Sequence, residues 1–311
     1  MAYFRWMIMK SIVIFFLLLS FLFSFQTAFT KVYHVKTDGS DSHDGSSWSR
    51  AFLTITRCMD ELTSGDSVWV ARGVYKEGAT ITVPEGVTLY GGFDGTENAL
   101  IQRVVSKNRV IIDGEDSYRC IKNYGVIDGF YVRNGNISEY FADGAGIVNA
   151  GGTVTNCNVY DNFADDFGGG IYNSQGGTVC NCIFYGNSAY YGGGINNEDE
   201  GVVSNCRLYE NSAVFAGAGI RNSRGRVTSC TVYLNTAGER GGGIHNYGGT
   251  ITNCSFYGNS SDSGGGIFNH SSSAKVNNCE VSNNSAEEGG GIYIYLEGSV
   301  TNCTVYGNSA E

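Results

Sequence analysis

Gly168-Gly169-Gly170-Ile171-Tyr172-Asn173, a short glycine-containing turn, then Thr178-Val179-Cys180-Asn181-Cys182-Ile183-Phe184-Tyr185-Gly186-Asn187-Ser188-Ala189 is one copy of a unit written seven times between Gly144 and Glu311. Its isoleucine recurs at Ile147, Ile171, Ile195, Ile220, Ile244, Ile267 and Ile292, a spacing of 23 to 25 residues. A period this regular marks a solenoid, in which each repeat buries its apolar face only by stacking on its neighbours.

The other near-invariant letters describe one coil. After the turn comes an apolar position (Val154, Val179, Val203, Val227, Ile251, Val276, Val300). Three residues on stands a cysteine (Cys157, Cys182, Cys206, Cys230, Cys254, Cys279, Cys303). Two further sits a second apolar residue (Val159, Phe184, Leu208, Val232, Phe256, Val281, Val305). Steps of two keep side chains on one strand face, so cysteine and apolar residue both point inward, and the three-residue steps require bends. Each repeat therefore reads as three short strands joined by corners, one coil of a parallel β-helix.

Two files of asparagine accompany these letters. Asn162, Asn187, Asn211, Asn235, Asn259, Asn284 and Asn308 close the second apolar strand. Asn149, Asn173, Asn197, Asn222, Asn246 and Asn269 follow the isoleucine, and Ile294 breaks that file. Stacked carboxamides can bond coil to coil, and asparagine tolerates the left-handed backbone of sharp corners. Both files are expected to be structural.

The Gly-Gly-x-Ile element followed by apolar-x-x-Asn (Phe184-Tyr185-Gly186-Asn187, Phe256-Tyr257-Gly258-Asn259) resembles the paired motif of polymorphic outer-membrane proteins. Those are bacterial autotransporter-like adhesins with a right-handed β-helix passenger. Val32-Tyr33-His34-Val35, Asp44-Gly45-Ser46-Ser47-Trp48 and Gly73-Val74-Tyr75 resemble the start of secreted pectin-lyase-like β-helix proteins. Together the resemblances imply an all-β, right-handed parallel β-helix. They leave activity open, because that superfamily hosts lyases, hydrolases, epimerases and adhesins.

Residues 1–30 are of another kind. Arg5 and Lys10 precede an apolar run from Ile12 to Phe25, and Thr27, Ala28 and Thr30 follow. This is the pattern of a secretory signal peptide, and about 14 apolar residues fall short of the roughly 20 that span a bilayer. No membrane span is expected in the mature chain, whose place is outside the cell: secreted, on the cell surface or at an outer membrane. Residues 31–134 read as an N-terminal cap with the first irregular coils, and 135–311 as seven regular coils. In the cap, Phe52, Ile55, Met59 and Leu62 fall at helical spacing, predicting one amphipathic helix between Arg50 and Leu62. The last repeat stops at Asn308-Ser309-Ala310-Glu311 with no closing element, which is the expectation for a chain cut short or ending against a partner.

The whole chain carries a formal charge of −10; without residues 1–30 it holds 18 Lys and Arg against 30 Asp and Glu, a net −12. Such a balance repels a phosphate backbone, so nucleic acid is not an expected partner. Seven cysteines share one inward position of successive coils. In register their Cβ atoms lie about 4.8 Å apart, beyond the roughly 3.5–4.5 Å of a disulfide. They are expected as small buried apolar groups, with a bridge from Cys180 left open. A single file does not converge on zinc. The turn acids Asp165, Asp166, Glu239, Asp262, Glu287 and Glu288 lack the six to eight oxygens of a calcium site. Neither metal nor cofactor is expected.

Two outward files remain for function. Tyr160, Tyr185, Tyr209, Tyr233, Tyr257 and Tyr306 recur after the inward apolar residue, with Ser282 interrupting, and offer rings to sugars or to a partner surface. Arg221 and His245 follow the isoleucine in adjacent coils, among Val148, Tyr172, Asn196, Phe268 and Tyr293. A lyase can use such a pair to neutralise a uronate and take its α-proton. The expected role is adhesion or glycan binding through an outward face, with a polysaccharide or host cell-surface ligand. The alternative is a polysaccharide lyase, glycoside hydrolase or epimerase acting on acidic polysaccharide.

Overall fold

The computed structural model describes residues 30–138 and 143–311. Val32–Glu311 forms one compact unit; the expected signal peptide lies outside the described residues. Three parallel sheets of 11, 10 and 9 strands run the length of this unit. Sheet 1 begins with Val32–Val35 and Ser67–Ala71 and ends at Ser299–Thr301. Sheet 2 runs from Gly73–Tyr75 to Thr304–Tyr306, and sheet 3 from Ile81–Val83 to Ile292–Tyr295. Ten steps between the strands of sheet 1 give a height of roughly 48 Å.

Register follows the repeat letter for letter. Ile171 pairs with Ile147 and Ile195, Val179 with Val154 and Val203, and Phe184 with Val159 and Leu208. These side chains are fully buried, and so, within 1–2%, are Cys157 through Cys279. All ten cysteines are free thiols, including Cys180, whose Sγ lies 3.3 Å from Thr155 Oγ1. Beyond the three expected strands, a fourth ladder of very short strands is present in several coils: Phe163–Ala164, Ser188–Tyr191, Ser212–Ala216, Thr236–Ala237 and, further on, Ser285–Ala286 with Ser309–Ala310. It forms where the residue after the closing asparagine meets its counterpart one coil on, before the glycine turn.

Both asparagine files are hydrogen-bonded ladders. Nδ2 of Asn149, Asn173 and Asn197 donates to the next Oδ1 at 2.7, 2.7 and 2.8 Å, and the ladder starts one rung earlier than expected, at Asn123. In the second file Asn187 donates from Nδ2 to Asn211 Oδ1 at 3.0 Å and to the Val159 carbonyl at 2.9 Å, while its own backbone N–H reaches Asn211 Oδ1 at 3.1 Å. The left-handed corner, however, falls one residue before the closing asparagine, at Asp161, Gly186, Glu210, Leu234, Gly258, Asn283 and Gly307. A further left-handed corner precedes each cysteine, at Asn156, Asn181, Asn205, Ser229, Asn253, Asn278 and Asn302, with φ of 52–56°. Asparagine is favoured there because its short polar side chain can hydrogen-bond the local backbone and so offset the cost of that region.

The cap helix is shorter than its apolar spacing suggests, spanning Ile55–Met59 only. Phe52 stands outside it, bridging to Val35. Carboxylates pin its start: Glu77 accepts from the Ile55 and Thr56 amides at 2.9 and 2.8 Å, and Asp41 from Leu53 and Thr54 at 3.0 and 2.9 Å.

Candidate functional site

The tyrosine file lines the outer face of sheet 2. Rings of Tyr160, Tyr185, Tyr209, Tyr233 and Tyr257 stack at successive centroid distances of 4.8, 5.2, 5.1 and 4.9 Å, with interplanar angles no greater than 17°. The faces inside this stack are therefore spent on one another, while Tyr257 at its end is 39% exposed. Burial, with Tyr160 and Tyr209 beside it, pushes the Tyr185 phenol up to about 12. Tyr306 stands apart across Ser282 and donates to Glu280 Oε1 at 2.6 Å. A sugar ring needs an open aromatic face, which the interior of the stack, Tyr185 to Tyr233, does not offer; there the rings stiffen the ladder.

Arg221 and His245 are register neighbours on the outer face of sheet 3. The Arg221 guanidinium is paired with Glu198, donates to Asn196 Oδ1 at 2.9 Å, and lies 5.1 and 5.3 Å from the Phe167 and Tyr191 ring centroids. Burial alone would push the Glu198 carboxyl up. Asn196, Arg221 and the Tyr172 hydroxyl, which donates to it at 2.9 Å, reverse that and hold it below its ordinary value. His245 is only 6% exposed, and its Nδ1 has no hydrogen-bond partner among the described residues. Burial, then the charges of Arg221, His270 and Arg240, push its imidazole down to about 3. A base that weak is poorly matched to abstracting a carbon-bound proton.

Around this pair the fold collects groups that the repeat letters did not single out. Strand alternation places His270 and Tyr295 on the same face, two residues beyond Phe268 and Tyr293, with Tyr247 in the preceding strand. His270 Nδ1 lies 3.4 Å from His245 Nε2. Tyr247 and Tyr295 meet the His270 ring edge-on at 4.9 and 5.0 Å; they are 45% and 46% exposed, and neither stacks on a parallel ring. From the turn before each glycine run come Phe167, Tyr191, Phe215 and Arg240. The Arg240 guanidinium lies over the Phe215 and Phe268 rings at 5.2 and 5.4 Å and has no ion-pair partner among the described residues. The legible signal was the bulky residue directly before the glycines, as in Phe167-Gly168, Tyr191-Gly192 and Arg240-Gly241.

Asp143 belongs to the same wall, bridging to Phe167. Its buried Oδ1 has no hydrogen-bond partner among the described residues, and burial, with Asp166 and Glu198 nearby, pushes its carboxyl up to about 6. Among the described residues no group of three or more His, Cys, Asp or Glu side chains is placed to hold a metal ion. No described helix is long and apolar enough to cross a membrane.

In-register coils, two carboxamide ladders and three long parallel sheets define a right-handed parallel β-helix with a pectin-lyase-like form. A family described as "Right handed beta helix region" matches residues 93–310, and the chain belongs to it. No curated protein sequence matches the chain. Among solved structures it is similar to XylC in complex with xylose, at 11% identity and a TM-score of 0.54, covering 88% of this chain and 70% of that one. It is also similar to the pectate lyase Pel9A, at 16% identity and a TM-score of 0.50, covering 88% and 78%. At these identities the likeness is one of fold.

Proposed function

We propose that the protein is exported and binds polysaccharide across the outer face of sheet 3. The observation that carries this is the pair of half-exposed, unstacked tyrosines, Tyr247 and Tyr295, flanking His270 beside the Arg240 guanidinium, which has no ion-pair partner among the described residues. Flat rings with open surface suit the apolar face of a sugar, and a guanidinium with no ion-pair partner suits a carboxylate on an acidic polymer. Fold neighbours solved with xylose or described as a pectate lyase are consistent with a carbohydrate ligand. Affinity electrophoresis against pectic and xylan polymers tests the reading. Tyr247→Ala with Tyr295→Ala should weaken retention at least about tenfold, each ring contributing roughly 1 kcal/mol. Tyr209→Ala, in the stacked file, should leave it unchanged; the reverse pattern sinks the proposal.

A second reading, glycoside hydrolysis, is favoured by one feature of the same face. Asp143 is pushed up to about 6 while nearby Glu198 is held down, the divergence expected of an acid and its partner carboxylate. New reducing ends released from a polysaccharide panel, and lost in Asp143→Asn, would establish it. The same panel yielding none would leave binding alone.

A further inference from the structure

At the cap end, on the outer face of sheet 1, lies a cleft of about 490 Å³ lined by His34, Ser46, Ser47, Trp48, Ser49, Trp69, Thr96, Glu97 and neighbours. Its walls are rigid. Trp69 stacks on Phe93 at 4.7 Å and 11°, and Trp48 Nε1 donates to the Glu97 carbonyl at 2.7 Å. His34 stands between the two indoles, with ring centroids 4.6 Å from Trp48 and 5.6 Å from Trp69. It is 9% exposed, and its Nδ1 meets the Gly45 carbonyl at 3.0 Å. That oxygen can only accept, so Nδ1 carries the proton and Nε2 is left as a lone-pair acceptor with no partner among the described residues.

The lining holds no Lys or Arg. Its one carboxylate, Glu97, is committed to the Asp94, Gly95 and Thr96 amides at 2.6, 3.0 and 3.0 Å. Burial lowers the His34 pKa, so the imidazole is neutral near pH 7. What remains is the half-buried Trp48 indole with the buried Trp69 (9% exposed) behind it, a rim of serine and threonine hydroxyls, and one buried acceptor. Flat apolar surface edged by short uncharged polar groups is complementary to a pyranose, which has an apolar C–H face and a hydroxyl perimeter. The volume falls in the roughly 300–1,000 Å³ range of small-molecule sites.

We propose that this cleft is a binding site for a ring of a neutral saccharide, with its apolar face against Trp48 and a hydroxyl donating to His34 Nε2. The site stands on its own residues and does not depend on the sheet 3 face. The chain has three tryptophans, so in a Trp6→Phe background the only indoles are the two in the cleft. Emission excited selectively at tryptophan, apart from the 20 tyrosines, then reports this site alone. Titration with D-glucose, D-xylose, cellobiose and xylobiose should give a saturable change with at least one, at a Kd on the order of 1–10 mM. D-galacturonate should bind at least tenfold more weakly. Ser49→Phe, at the exposed rim, should raise Kd at least tenfold without touching the fold, and His34→Phe should do the same by removing the acceptor. Tyr247→Ala with Tyr295→Ala should leave the signal unaltered, which separates failure here from failure of the sheet 3 proposal. No response to any neutral sugar up to roughly 100 mM, equal binding of galacturonate, or an unchanged Kd in Ser49→Phe would each overturn the assignment.

Discussion

Asn197→Ala removes one rung from the middle of the sheet 3 carboxamide ladder. Asn197 is fully buried; Nδ2 donates to Asn222 Oδ1 at 2.8 Å and to the Gly201 carbonyl at 2.9 Å, and Oδ1 accepts from Asn173 at 2.7 Å. Three buried hydrogen bonds are lost, at about 1 kcal/mol each. Asn173 keeps its bond to the Gly177 carbonyl, and the Gly201 carbonyl keeps the Arg226 amide. Asn222 Oδ1 has no other donor and is stranded away from water. The expected cost is about 3–4 kcal/mol. Asn308→Ala removes the last rung of the other ladder, where the side chain is part-exposed and water can replace its partners; about 1 kcal/mol is expected there. Because coils of a solenoid open semi-independently, the readout is hydrogen exchange at the Ile195 and Ile220 amides, which bond to the Gly219 and Gly243 carbonyls. Their protection should fall by two orders of magnitude or more, that of coils near the cap much less. Asn197→Asp supplies a control of the same shape. It still accepts from Asn173 but turns a second acceptor toward Asn222 Oδ1 and the Gly201 carbonyl, so it should destabilise at neutral pH at least as much as alanine. If Asn197→Ala costs no more than Asn308→Ala, or if aspartate restores protection, the ladder does not hold the coils together and the reasoning fails.

Asp143 has a folded pKa raised to about 6, so the stability tied to its protonated form is fully present below about pH 4 and lost as pH rises through 6. Discounted for partial exposure, Asp143→Asn should gain about 1 kcal/mol at pH 7 and nothing at pH 4, read from urea midpoints at the two pH values. Gly170→Ala would place Cβ 2.5 Å from the Gly194 carbonyl oxygen in the next coil, and should cost about 2 kcal/mol or more in the same assay. Tyr209→Leu, which opens the stacked file, should lower stability by about 1 kcal/mol, seen as a lower urea midpoint. All ten cysteines should react with a thiol reagent in denaturant without reductant, and reductant should leave the melting curve in place.

The coil could be read from the sequence because nearly everything that builds it repeats. Ile171, Val179, Cys182, Phe184, Asn173 and Asn187 each have a like neighbour above and below, so one periodic pattern reports strand, inward face and ladder together. What did not repeat was harder to see. The fourth strand is only two residues long in most coils and carries no apolar alternation. The helix lost its first turn because Phe52 found a β-bridge to Val35 and the Glu77 carboxylate set the start at Ile55. The sheet 3 register sets Arg221 beside His245, as their places in the repeat suggest, but Glu198, Tyr247, His270 and Arg240 were not grouped with them. Their convergence depends on how the wall before each glycine run folds against sheet 3, which spacing along one strand does not encode. The tyrosines were visible as a file, yet their orientation, face against face, is a property of the stack.

In-register stacking also explains why function should leave the repeat. A column in a parallel β-helix sets identical positions about 4.8 Å apart, so a charged letter repeated in every coil would face its own charge above and below, at about 1 kcal/mol per contact even in water. Asparagine and tyrosine can be periodic because a carboxamide donates to its copy and a ring stacks on its copy. Arginine and glutamate, charged at neutral pH, cannot. The column through Tyr172, Asn196, Arg221, His245, Phe268 and Tyr293 changes its residue at every coil, and Glu198 neutralises Arg221 from the neighbouring column. The cap cleft breaks the period further still, since His34, Trp48 and Trp69 have no counterparts in the regular coils. Aperiodicity on an otherwise periodic frame is thus where charged and ligand-facing chemistry is physically permitted. Both surfaces proposed to take carbohydrate lie there.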